Sequence, residues 1–84
     1  MIPLTLYSRP GCHLCDEMKA VITRVAQSTP LELKEVDIST STELEDLYGL
    51  EIPVLFVAGK KAAKYRIGEE ELLRILAGRA GPTG

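Results

Sequence analysis

Two cysteines stand three residues apart in Cys12-His13-Leu14-Cys15. Side chains at that spacing lie on one face of a helix, so the two thiols can meet across a single turn. Before them runs Ile2 to Tyr7, a short apolar stretch of strand formers, closed by the loop signal Ser8-Arg9-Pro10-Gly11. After them the apolar period becomes helical. A Cys-x-x-Cys at such a strand-to-helix junction reads as a redox pair. The free N–H groups and positive dipole end of a helix favour an anion. Cys12, placed as the helix cap, is therefore expected as a thiolate, with a pKa below the free value of about 8.5. Cys15, one turn further in, is less accessible but within reach. The expected division of labour makes Cys12 the attacking thiol and Cys15 the thiol that resolves the mixed disulfide.

Other uses of the pair have to be weighed. A structural zinc ion wants four ligands, and only Cys12, Cys15 and His13 are at hand, so no metal is expected. An inert buried pair remains open. A stabilising staple is disfavoured, because so short a loop removes little unfolded-chain entropy. His13 has two readings. An imidazole beside the nucleophile tunes the thiol or shuttles its proton, or it is an exposed bystander kept neutral near pH 7 by the helix dipole.

The elements that position this pair follow from periodicity. Cys15, Met18, Val21, Ile22, Val25 and Ala26 recur at helical spacing, and Asp16 and Glu17 suit the positive end of the dipole. Leu31 to Ile38 reads as a second strand. Its apolar parity switches between Leu33 and Val36, which implies a bulge or cover on both faces. Ser39 to Thr42 leads into a short helix with Leu44, Leu47 and Tyr48 inward and Gly49 as its C-cap. Pro53 to Val57 is the most apolar segment and the expected central strand. Ala58-Gly59-Lys60-Lys61 turns back into a partner over Ala62 to Arg66. In the last helix Leu72, Leu73, Ile75 and Leu76 form an apolar face; the helix begins with Glu69-Glu70-Glu71 and closes on Arg74 and Arg79. The order β-α-β-α-β-β-α implies an α/β fold. A right-handed parallel pair and an antiparallel hairpin form a mixed four-stranded sheet flanked by three helices.

With 84 residues, the chain has room for one domain, and residues 77–84 are expected as a frayed tail. Ten basic against twelve acidic residues give a net charge of -2, which argues against nucleic acid or an anionic membrane surface as partner. No apolar run approaches the roughly 18 residues that a membrane span requires. Met1 to Tyr7 lacks the basic, apolar and cleavage regions of a signal peptide, so the expected location is cytoplasmic, where thiols stay reduced.

Leu6-Tyr7-Ser8-Arg9-Pro10-Gly11-Cys12-His13-Leu14-Cys15 and Glu51-Ile52-Pro53-Val54-Leu55-Phe56-Val57-Ala58-Gly59 together resemble a glutaredoxin of the thioredoxin fold, over nearly the whole chain to about Leu76. The tetrapeptide departs from the common Cys-Pro-Tyr-Cys and is more similar to bacterial glutaredoxin-like proteins of poorly defined substrate. The resemblance implies a thiol-disulfide oxidoreductase that reduces protein or mixed disulfides through Cys12 and Cys15. No cofactor is implied. Electrons come from another thiol, with glutathione as a co-substrate or a thioredoxin reductase system as donor. Arg9 stands where glutaredoxins usually carry Lys, which supports the thiolate and contacts a glutathione carboxylate; alternatively it is a solvated loop cation. Pro53 matches the family's cis-proline, beside which the Ile52 backbone pairs with an extended peptide or with glutathione. Downstream, a Gly-Gly pair and an Asp that serve glutathione binding are missing. Gly68 and Glu69-Glu70-Glu71 stand there instead, and their charge disfavours an anionic thiol. The alternative implied by the family is an iron–sulfur cluster or partner-binding module built on the same cysteine groove.

Overall fold

In the computed structural model, which describes residues 1–80, strand β1 (Ile2–Ser8) leads into helix α1 (His13–Ala26), then strand β2 (Leu31–Asp37). A 3₁₀ turn over Ile38–Thr40 precedes helix α2 (Thr42–Tyr48). Strands β3 (Val54–Val57) and β4 (Lys60–Lys64) and helix α3 (Glu69–Ala80) complete the chain. The sheet order is β2-β1-β3-β4. β1 runs parallel to β2 and antiparallel to β3, and β3 pairs antiparallel with β4. This is the α/β thioredoxin-like architecture, with a mixed sheet and three α-helices.

Alternation along β1 divides the core. Leu4 and Leu6 face one side and join Met18, Ile22 and Val25 of α1, Leu55 and Val57 of β3, and Leu72 and Leu76 of α3 in one buried cluster. Tyr7 faces the opposite side. There it stacks on Tyr48 of α2 at 4.5 Å between ring centroids and meets Phe56 of β3 edge-on at 5.5 Å. Helices α1 and α3 therefore cover one face of the sheet, and α2 covers the other.

That division explains the parity switch in β2, and the expected bulge is not there. The β1–β2 register runs unbroken from Ile2↔Leu31 to Ser8↔Asp37. Leu33 lies beside Leu4, while Val36 lies beside Tyr7 on the opposite face. Each face of this edge strand is covered over a different half. The bulge falls in β4 instead: Leu55 pairs with Ala63 and Phe56 with Lys61, so Ala62 is the extra residue.

Two boundaries and one inward-facing residue differ from expectation. The hairpin turns on Ala58 and Gly59 alone, at φ 50° and 83°. Both residues at positive φ is the turn geometry that matches strand twist, so β4 restarts at Lys60 rather than Ala62. Leu47 is 64% exposed, which leaves Leu44 and Tyr48 as the inward side of α2. Gly49 is the C-cap of α2, as expected, in right-handed helical conformation, with its N–H donating to the Glu45 carbonyl. Residues 77–80 belong to α3 rather than to a tail; 81–84 and the Arg79 side chain lie outside the described residues.

Candidate functional site

The loop that carries the first cysteine is set by its own sequence. Proline fixes φ for the second position of a tight turn, and glycine supplies positive φ at the third. Gly11 stands at φ +81°, and the Cys12 N–H donates to the Arg9 carbonyl at 3.2 Å. Arg9-Pro10-Gly11-Cys12 thus closes as one turn at the end of β1. Cys12 then caps α1. Its backbone is extended, its carbonyl accepts from the Asp16 N–H, and its sulfur accepts from the Cys15 N–H at 3.2 Å.

Cys12 and Cys15 are joined as a disulfide, with Cα atoms 5.2 Å apart. Their burial differs. Cys15 is 4% exposed beneath the helix, whereas Cys12 at its tip is half-buried. The less buried cysteine is therefore the one whose sulfur also receives a helix N–H. Among the described residues no group of three or more His, Cys, Asp or Glu converges as metal ligands would.

The second strand-turn feature meets the first across the sheet. Tyr7 pairs with Val54, the first residue of β3, so Ile52 and Pro53 lead into the sheet at the end where β1 runs out into the cysteine loop. The Ile52-Pro53 bond is cis. Pro53 is buried and its carbonyl accepts from the Tyr65 N–H at 2.9 Å, while Ile52 is half-buried. The Tyr65 hydroxyl donates to the Leu50 carbonyl, which ties the segment after β4 to the loop before the proline.

Arg9 is not a freely solvated cation. Its Nη2 donates to the Glu45 carboxylate of α2 and lies 3.5 Å from the Gly49 carbonyl, and its Nε is buried without a partner. His13 points the other way. Its ring is 87% exposed and its Nε2 pairs with Glu17 one turn on, at 2.9 Å. The structure thus brings Cys12, Cys15, Arg9, Ile52 and Pro53 to one end of the sheet and engages the His13 ring with Glu17.

A cleft of about 300 Å³ opens on the Cys15 side of the disulfide, with Arg9, Cys15, Asp16, Glu35 and Asp37 in its wall; Cys12, Ile52 and Pro53 do not line it. Its floor was not evident from the sequence. Ser8, 5% exposed, donates to Glu35 at 3.1 Å, and Lys19 of α1 donates to the other Glu35 oxygen at 2.9 Å. The Lys19 hydrogen bond, helped by Ser8, holds the Glu35 carboxyl below its ordinary range. The Ser39 hydroxyl and N–H do the same for Asp37, with a smaller contribution from the Arg9 charge. The only sequence signal for Glu35 was its place in the parity break of β2. No local signal linked Glu45 to Arg9, 36 residues away.

Comparisons with known proteins agree with this geometry. Residues 3–77 match the family model described as glutaredoxin-like domain (DUF836). The solution structure of protein Ne2328 from Nitrosomonas europaea is 30% identical, with a TM-score of 0.76 over 88% of this chain and 89% of that one. A crystal structure of an X. campestris protein is 32% identical, with a TM-score of 0.72 over 94% of this chain and 99% of that one. Chloroplastic thioredoxin z, at 12% identity, shares the fold with a TM-score of 0.76 over 96% of this chain and 80% of its own. No curated protein matches the chain. Among the described residues no helix is long and apolar enough to cross a membrane.

Proposed function

The chain belongs to the glutaredoxin-like domain family, and from that premise we propose that it is a thiol-disulfide oxidoreductase that reduces protein or mixed disulfides. The observation that carries the reading is the position of Cys12. It is the cap of α1, its sulfur accepts a helix N–H, and it is bonded to a buried Cys15 one turn behind. A helix start lowers a thiol pKa, and the more ionised and accessible thiol is the attacking one.

The cycle balances without a bound cofactor. In the reduced protein the Cys12 thiolate attacks one sulfur of a substrate disulfide. That bond breaks, a mixed disulfide forms, and the first substrate thiolate leaves. Cys15 then loses its proton and attacks the Cys12 sulfur. The second substrate thiol leaves, and the Cys12–Cys15 disulfide remains. Two electrons have passed to the substrate, and a thiol reductant returns them, whether glutathione or a thioredoxin reductase system. The Ile52 backbone at the cis-proline is the proposed docking edge for an extended substrate segment, and a reducing cytoplasm is the proposed setting.

The test is reduction of insulin or bis(2-hydroxyethyl) disulfide by the reduced protein, followed as substrate thiol released. Cys12→Ser is expected to abolish it. Cys15→Ser is expected to complete the first attack and accumulate the mixed disulfide, seen as an added mass. Persisting turnover in Cys12→Ser would remove Cys12 from the nucleophile role.

A further inference from the structure

We propose that Glu45 is a specificity determinant: by holding Arg9, it withholds the cation of the cysteine turn, which also lines the cleft beside Cys15, from anionic thiols. This rests on the oxidoreductase reading and says which disulfides the site accepts. Neutral and cationic ones are preferred to glutathione disulfide and glutathione mixed disulfides.

A guanidinium grips a carboxylate through two parallel N–H bonds. The group has two edges that can do this, Nη1 with Nη2 and Nε with Nη2, and both use Nη2. In this protein Nη2 is committed to the Glu45 carboxylate and faces the Gly49 carbonyl. Nε is enclosed, without solvent and without a partner. Neither edge is open to a carboxylate from outside.

Electrostatics point the same way. Arg9 is the cation among the residues lining the cleft, which also presents Asp16, Glu35 and Asp37. The Arg9 charge is felt by Asp37 as well as by Glu45. A thiol bringing further carboxylates meets a cleft whose positive charge is already matched. An uncharged or aminated disulfide meets no such penalty.

The experiment compares three small disulfides at low ionic strength: glutathione disulfide, bis(2-hydroxyethyl) disulfide and cystamine. The wild-type protein is expected to show the lowest kcat/KM on glutathione disulfide and the highest on cystamine, and the spread should narrow with added salt as surface charges are screened. Glu45→Gln keeps the side-chain length and removes the charge, leaving Arg9 only a neutral amide oxygen that an incoming carboxylate can displace. It is expected to lower KM for glutathione disulfide about fivefold and to leave the hydroxyethyl disulfide unchanged. As a readout without turnover, S-methylglutathione should shift the amide NMR signals of residues 9–12 in oxidised Glu45→Gln at lower concentration than in wild type. Equal constants on all three disulfides in wild type would overturn the proposal, and should Glu45→Gln fail to fold, that series alone decides. An equal change in KM for glutathione and hydroxyethyl disulfides, or no change in either, would overturn it too. Failure of wild type on even the neutral disulfide would instead sink the oxidoreductase reading, and this proposal with it.

Discussion

Cys12 owes its chemistry to three neighbours in sequence. Pro10 and Gly11 shape the turn that delivers it, and the Cys15 N–H lies 3.2 Å from its sulfur. The reduced Cys12 thiol is therefore expected to titrate below the free value of about 8.5, as read by thiolate absorbance in the ultraviolet. His13 is adjacent in sequence but its ring pairs with Glu17 and is 87% exposed. His13→Ala is accordingly expected to leave that titration where it is, and a shift to higher pH would show that the imidazole does tune the thiol. Gly11 is a different matter. Its φ of +81° lies in the left-handed region with open space around a would-be Cβ, so Gly11→Ala strains the backbone alone. A loss of about 1–2 kcal/mol in denaturant unfolding is expected.

Elements were legible in the sequence wherever burial was one-sided and local. Met18, Ile22 and Val25 announce α1, and all three are buried. Pro10-Gly11 and Ala58-Gly59 announce turns because proline and glycine act through their own dihedrals. What was not legible depends on a second element. Leu47 shares the helical period of Leu44 and Tyr48, yet is 64% exposed because the seven-residue α2 rests on the sheet through a narrow stripe, with Tyr48 against Tyr7. Arg9 resembles a loop cation until α2 brings Glu45 to it from 36 residues away. Stability should divide accordingly. Ile22→Ala removes a side chain 1% exposed in the main core and is expected to cost about 2–4 kcal/mol. Leu47→Ala should change stability by less than about 0.5 kcal/mol. Comparable losses in the two variants, measured from urea midpoints, would mean that Leu47 is covered in solution.

At the scale of the molecule, ion pairs connect elements that lie far apart in sequence. Lys19 ties α1 to β2 through Glu35, Arg24 ties α1 to α3 through Glu69, and Arg9 ties the cysteine loop to α2 through Glu45. The first lies at the cleft, so its titration reports on fold and site together. Glu35 is held below its ordinary value by the Lys19 hydrogen bond first and Ser8 next, against burial and the Asp37 charge, which raise it. A lowered carboxyl pKa means that the unfolded chain binds the proton more readily. The stability Glu35 contributes is therefore full above its ordinary range near 4.5 and is lost as pH falls through the lower folded value. Lys19 has the opposite sign. Raised by the same partner, it contributes fully below its ordinary 10.5 and loses that contribution as pH rises through the higher folded value. Both side chains are more than two-fifths exposed, so the pair is screened by water and should weaken further in salt. Thermal melts of wild type and Glu35→Gln over a pH series separate charge from packing. Wild type is expected to be the more stable near neutrality. The two curves should converge as acid protonates Glu35, because a neutral carboxyl and an amide are then nearly equivalent to Lys19. A gap of constant size at every pH would place the contribution of Glu35 in its contact with Ser8 and not in its charge.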